Sequence, residues 1–113
     1  MNPPFFSTLP EDARWPSGEF IDLAVLPLTE GELARRIGVS LVHGIEDGLG
    51  PWAAIGGYLR SGVQFEFICY AQIPASVILR MDKNTYSATA VDEALRLVGF
   101  SRKEVRVSPL IAD

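Results

Sequence analysis

Apolar residues recur along this chain at two spacings, and the places where the spacing changes delimit its elements. Over residues 19–26, Ile21, Leu23 and Val25 alternate as a strand requires, while Phe20, Leu23 and Ala24 also fit a short helix ending before Pro27. The strand is the favoured reading. Thr29 and Glu32 then have the spacing of a capping box, and Leu28 and Leu33 that of the matching hydrophobic staple. With Gly38 as the stop, these predict a helix over 30–37 whose inward residues are Leu33 and Ile37. Arg35 and Arg36 near its end favour the helix dipole. Strands are predicted over 40–46, 52–60, 63–72 and 76–82. The third is the clearest, with Val63, Phe65, Phe67, Cys69 and Ala71 on one face. Val91, Ala94, Leu95 and Val98 form a helical stripe over 90–98, with Asp92 and Arg96 as an i,i+4 pair. Gly99 ends it, Phe100 can pack back, and Val105 to Val107 read as a last short strand.

Consecutive strands joined by short links predict an antiparallel meander. The order β-α-β-β-β-β-α-β is that of an α+β fold: a mainly antiparallel sheet of four to six strands with two short helices packed on one face. Residues 1–18, rich in Pro and turn formers, read as an arm packing through Phe5, Phe6 or Trp15. Residues 19–113 read as a single α+β domain.

Composition narrows the chemistry. Nearly half of the 113 residues are hydrophobic, which excludes a disordered tail. One cysteine allows neither an internal disulfide nor a multi-thiolate zinc site, and it fits a reducing cytoplasm. The first residues lack the basic start and long apolar run of a signal peptide, and no apolar run reaches the ~20 residues of a membrane helix. A net charge of −4 without a Lys/Arg block argues against nucleic acid and suits a basic partner.

The stretch from Glu46 to Tyr58 raises the question of a phosphate cradle, since Gly48-Leu49-Gly50-Pro51-Trp52-Ala53 matches G-x-G-x-x-A. That motif needs a helix directly after it, and here a strand follows, with Gly56 and Gly57 interrupting any helix. Pro51 also removes one N–H from the cradle. The better reading is a turn at Asp47-Gly48 feeding a strand, with Gly56-Gly57 marking a bulge or a close backbone approach.

Catalytic candidates are few. His43, the single histidine, has apolar neighbours at i±2 and is expected at the core or its margin; Cys69, which alternates with Phe65 and Phe67, is expected as a buried, unactivated thiol. No cofactor or metal-ligand constellation emerges. Glu46 and Asp47, with Glu30 and Glu32, offer an acidic patch for a cationic partner. The sheet face opposite the helices should carry Gln64, Glu66, Ile68, Tyr70 and Gln72, joined by Ile78, Arg80 and Asp82. Three uses of this mixed face stay open: a protein contact, coverage by the arm, or an ordinary exposed face with Glu66 and Arg80 paired across strands.

Leu33-Ala34-Arg35-Arg36-Ile37-Gly38-Val39, then Glu46-Asp47-Gly48-Leu49-Gly50, strands split by Ser61-Gly62, and Ala94-Leu95-Arg96-Leu97-Val98-Gly99-Phe100 together resemble, in layout, small bacterial immunity proteins of polymorphic and contact-dependent toxin systems. The resemblance spans roughly residues 28–108 and carries no diagnostic motif. It implies a non-enzymatic role: tight binding and inhibition of a cognate toxin. With the acidic balance and the mixed sheet face, the leading reading is an inhibitor that occludes the active site of a basic toxin domain. The expected contact set is Glu46, Asp47, Glu66, Tyr70, Ile78 and Arg80. The alternative is a small ligand-binding or enzymatic domain with a pocket near His43, Trp52 and Tyr58. A homo-oligomer pairing through the sheet face or an edge strand is a third reading, so monomer and homodimer both stay open.

Overall fold

The computed structural model describes residues 19–111. The arm expected at residues 1–18 lies outside the described residues. Six strands form one antiparallel sheet: β1 (Phe20–Leu26), β2 (Val42–Glu46), β3 (Gly50–Tyr58), β4 (Gln64–Tyr70), β5 (Val77–Asp82) and β6 (Arg106–Val107). Their order is β2-β3-β4-β5-β1-β6, so the predicted meander forms the sheet from β2 to β5. β1 is inserted between β5 and β6; α1 (Glu30–Ile37) carries the chain from β1 to β2, and α2 (Ala88–Leu97) carries it from β5 towards β6. The fold is α+β, as the element order predicts.

α1 has the predicted bounds. The Glu32 N–H donates to Thr29 Oγ1 at 3.1 Å and the Thr29 N–H to Glu32 Oε1 at 2.9 Å, closing the capping box. The Thr29 backbone bond, aided by the Thr29 hydroxyl, holds the Glu32 carboxyl below its ordinary pKa. Gly38, at φ 81°, donates its N–H to the Ala34 carbonyl and ends the helix. α2 starts earlier than the apolar stripe predicts, because Ser87 Oγ accepts the Ala90 N–H and caps it. It ends in a Schellman motif, with Phe100 N–H bonded to Leu95 C=O and Gly99 N–H to Arg96 C=O. Asp92 binds Arg102 Nε at 2.8 Å rather than pairing along the helix with Arg96, since the chain folds back over α2 after Gly99.

Leu33 and Ile37 of α1 and Val91, Ala94, Leu95 and Val98 of α2 pack on Ala53, Ile55, Phe65, Phe67, Cys69, Val77, Leu79 and Met81. Arg36 ties the two helix ends together: Nη1 donates to Val98 C=O at 2.7 Å, and the guanidinium lies 4.9 Å from the Phe100 ring centroid.

Pairing runs uninterrupted through Gly56↔Glu66 and Gly57↔Phe65, so the bulge expected there does not form. The register shift lies in β1 instead, between Asp22 and Ala24. The extra residue, Leu23, lets two successive apolar side chains enter the core while Asp22 stays opposite Arg80.

Two substitutions separate these contributions. Leu95→Ala is expected to lower unfolding free energy by about 2–5 kcal/mol, through lost burial and a residual cavity. Thr29→Ala should cost only about 1 kcal/mol through the lost cap. Urea denaturation followed by far-UV circular dichroism measures both.

Candidate functional site

Two regions carry the residues singled out from the sequence: the β2–β3 hairpin and the sheet face away from the helices. In the hairpin, Glu46 pairs with Gly50 and the chain turns through Asp47, Gly48 and Leu49. The Leu49 N–H donates to Glu46 C=O at 3.1 Å, and Gly48 at the third turn position has φ 84°. A type II turn needs that left-handed backbone there, which favours glycine. Gly50 is constrained from outside: a Cβ on it would fall 2.7 Å from Gln72 Nε2. Residues 50–58 continue as a strand, so no helix N-terminus follows the glycines and no phosphate cradle forms. The tip leaves Glu46 and Asp47 exposed beside Leu49, itself 40% exposed.

His43 is not at the core margin. β2 is the edge strand, and what His43 meets on the helix side is the first turn of α1. Its Nε2 lies 2.7 Å from Glu30 Oε2, with both side chains more than half exposed. Ala53 pairs with His43 on one side and Cys69 on the other, which puts the two about 10 Å apart across β3. The Cys69 thiol is buried and donates to Ala53 C=O at 3.5 Å. Burial, and then the Glu30 carboxylate, push its pKa up, the opposite of an activated nucleophile. His43 and Trp52 are on opposite faces, and Tyr58 lies six residues, roughly 20 Å, along β3 from Trp52. The three residues of the alternative pocket therefore do not converge. A groove of about 260 Å³ lies elsewhere, between the end of β1 and residues 104–106, lined by Leu26, Pro27, Ala75, Ser76, Glu104 and Arg106 among others.

On the second sheet face, Asp22, Arg80, Glu66 and Gly56 form one row across β1, β5, β4 and β3. Arg80 Nε donates to Asp22 Oδ1 at 2.8 Å, Nη2 to Tyr70 Oη at 3.5 Å, and Nη1 lies 3.5 Å from Glu66 Oε1. Burial opposes the Arg80 charge, but Tyr70, Asp22 and Glu66 outweigh it, so its pKa lies above the ordinary value. Alongside, Ala54, Ile68 and Tyr70 form a second buried cluster with Trp52 and Ile78 against it.

This face does not stand open as a contact surface would. Glu66 and Tyr70 are 5% and 6% exposed, and Ile78 and Arg80 are half-buried. Gln64, also buried, has an Nε2 without a hydrogen-bond partner among the described residues.

Sequence reasoning missed Asp22 as an Arg80 partner and Glu30 as the His43 partner. Both depend on strand order, which places β1 beside β5 and α1 beside β2. Among the described residues, no group of three or more His, Cys, Asp or Glu side chains could hold a metal ion, and no helix is long and apolar enough to cross a membrane. No protein-family model, curated protein or solved structure matches the chain.

Removing Arg80 takes the neighbouring cation away from the buried Glu66 carboxylate. Arg80→Met is expected to cost about 3 kcal/mol, and Arg80→Met with Glu66→Gln less than the two single losses added. Additive losses in a urea double-mutant cycle would show that Arg80 and Glu66 are not coupled. Cys69 should resist a thiol reagent in the folded protein and react once unfolded. Because its native pKa is raised, the thiol's share of stability is present below its ordinary value of 9.0 and lost as pH rises through the native value. Cys69→Ala should remove that alkaline loss in pH-dependent denaturation.

Proposed function

We propose that this chain is a non-catalytic binding module of the immunity type, acting in the cytoplasm to inhibit a cognate toxin by covering its active site. One observation carries the reading: a turn-constrained hairpin tip presents two exposed carboxylates, Glu46 and Asp47, beside exposed Leu49. Carboxylates at the rim steer a basic partner and raise the association rate, while the apolar side chain beside them supplies contact area. The turn's hydrogen bond and the left-handed Gly48 favour this tip conformation before binding, which reduces the entropy lost on association.

Within the expected contact set, the roles divide by exposure. Glu46 and Asp47 meet the partner. Glu66, Tyr70, Ile78 and Arg80 brace the sheet behind them, with Arg80 linking β1, β5 and β4. The layout shared with small immunity proteins supports the same reading.

The test compares the native chain with Glu46→Lys/Asp47→Lys, two exposed changes that leave the core untouched. Each is immobilised and exposed to lysate of the source organism. The native chain should retain one basic protein stoichiometrically, and the variant should retain at least about tenfold less, equivalent to ~1.4 kcal/mol. Expression of the retained protein alone should arrest growth, and co-expression with the native chain should restore it. Equal retention by both chains overturns the assignment of the acidic tip.

A further inference from the structure

The two edges of the sheet are built differently. β6 is only two residues long, carries Arg106 and runs on to Pro109, all features that discourage further strand pairing. β2 has five residues in unbroken register with β3, with neither proline, lysine nor bulge. Its outward course carries Ile45, the most exposed large hydrophobic side chain among the described residues at 80%.

The direction of the backbone groups follows from the neighbouring pairs. The Pro51 carbonyl accepts the Ala71 N–H on the β4 side, so the N–H and C=O of Trp52 face β2 and bond Gly44. His43 and Ile45 therefore direct their N–H and C=O groups to the open edge, and nothing among the described residues pairs with them.

We propose that this edge is a self-association site, where β2 of a second copy pairs antiparallel with β2 about a two-fold axis at Gly44. In that register His43 faces Ile45 of the other copy, and the reverse. Each of the two pairs exchanges two hydrogen bonds, the pattern an antiparallel ladder requires of residues that point outward. Gly44 meets its own counterpart at the non-hydrogen-bonded position, where backbones approach to ~4.5 Å. The Trp52 ring already occupies the space above Gly44, since a Cβ there would fall 2.3 Å from Cζ2. The two indole rings thus flank the glycine pair on one face, and the two Ile45 side chains are covered on the other.

The second copy fits because the edge is complementary to itself. The residues with outward backbone groups are spaced symmetrically about a glycine. Glu46 meets Val42 rather than another acid. A five-residue pairing is about 17 Å long and buries less than the ~1,200 Å² of a stable interface, so the association is weak and concentration-dependent. The turns with Asp47 and Leu49 project at opposite ends of the paired strands, beyond the five paired residues.

The test is sedimentation velocity on the full chain from about 5 to about 500 µM, the range a weak interface calls for. Ile45→Lys places a charge in the pair, and Ile45→Pro removes one outward N–H without touching the β3 ladder. Circular dichroism and melting temperature check that each variant folds. The native chain should move from the mass of one chain towards that of two, and a folded variant should stay at one across the series. A native chain that stays monomeric throughout overturns the proposal and reserves the edge for a different strand. A folded variant that dimerises as the native chain does overturns it too, by placing self-association on another surface.

Discussion

Every residue of β4 is buried, on both faces of the sheet, and that constraint shapes the rest of the molecule. On one face Phe65 and Phe67 meet edge to face, with ring centroids 5.7 Å apart, beneath the two helices. On the other face the same strand carries the buried polar side chains Gln64 and Glu66, and burying a carboxylate is costly without a charged or hydrogen-bonding partner. Arg80, on the next strand, places a cation 3.5 Å from the Glu66 carboxylate. Arg80 in turn holds Asp22 on β1, so one buried charge links three strands.

That linkage gives a physical reason for the bulge in β1. Without the extra residue at Leu23, either Asp22 would leave the Arg80 row or Ala24 and Leu26 would leave the core face, because side chains alternate strictly along a strand. The bulge satisfies both at once. The helices add a second linkage, through Arg36 at the end of α1 and the Val98 carbonyl at the end of α2. At the periphery, β2 and its turn contribute little to either apolar cluster.

Much of this was legible in the residues. The bounds of α1 follow from Thr29, Glu32 and Gly38 because each acts within one turn of chain. The strands follow from two-residue alternation, and the turn at Asp47-Gly48 from a backbone conformation that favours glycine. The buried, unactivated state of Cys69 follows from its aromatic neighbours. The errors have one origin. The apolar sequence neighbours of His43 point it to the core, and of the two readings of Gly56-Gly57, a bulge or a close backbone approach, the unbroken ladder excludes the bulge. Each outcome depended instead on which strand lay alongside.

The sequence by itself determined the local devices: caps, turns, strand periodicity, the α+β class and the acidic hairpin tip. These rest on interactions between residues a few positions apart. Only the tertiary structure decided the strand order, and with it the exposure of His43 and Ile45, the burial of Glu66 and Tyr70, the partnership of Asp22 with Arg80, and which edge stays open. Those depend on packing between segments distant in the chain, such as Asp22 and Arg80, whose meeting is set by burial across the whole sheet.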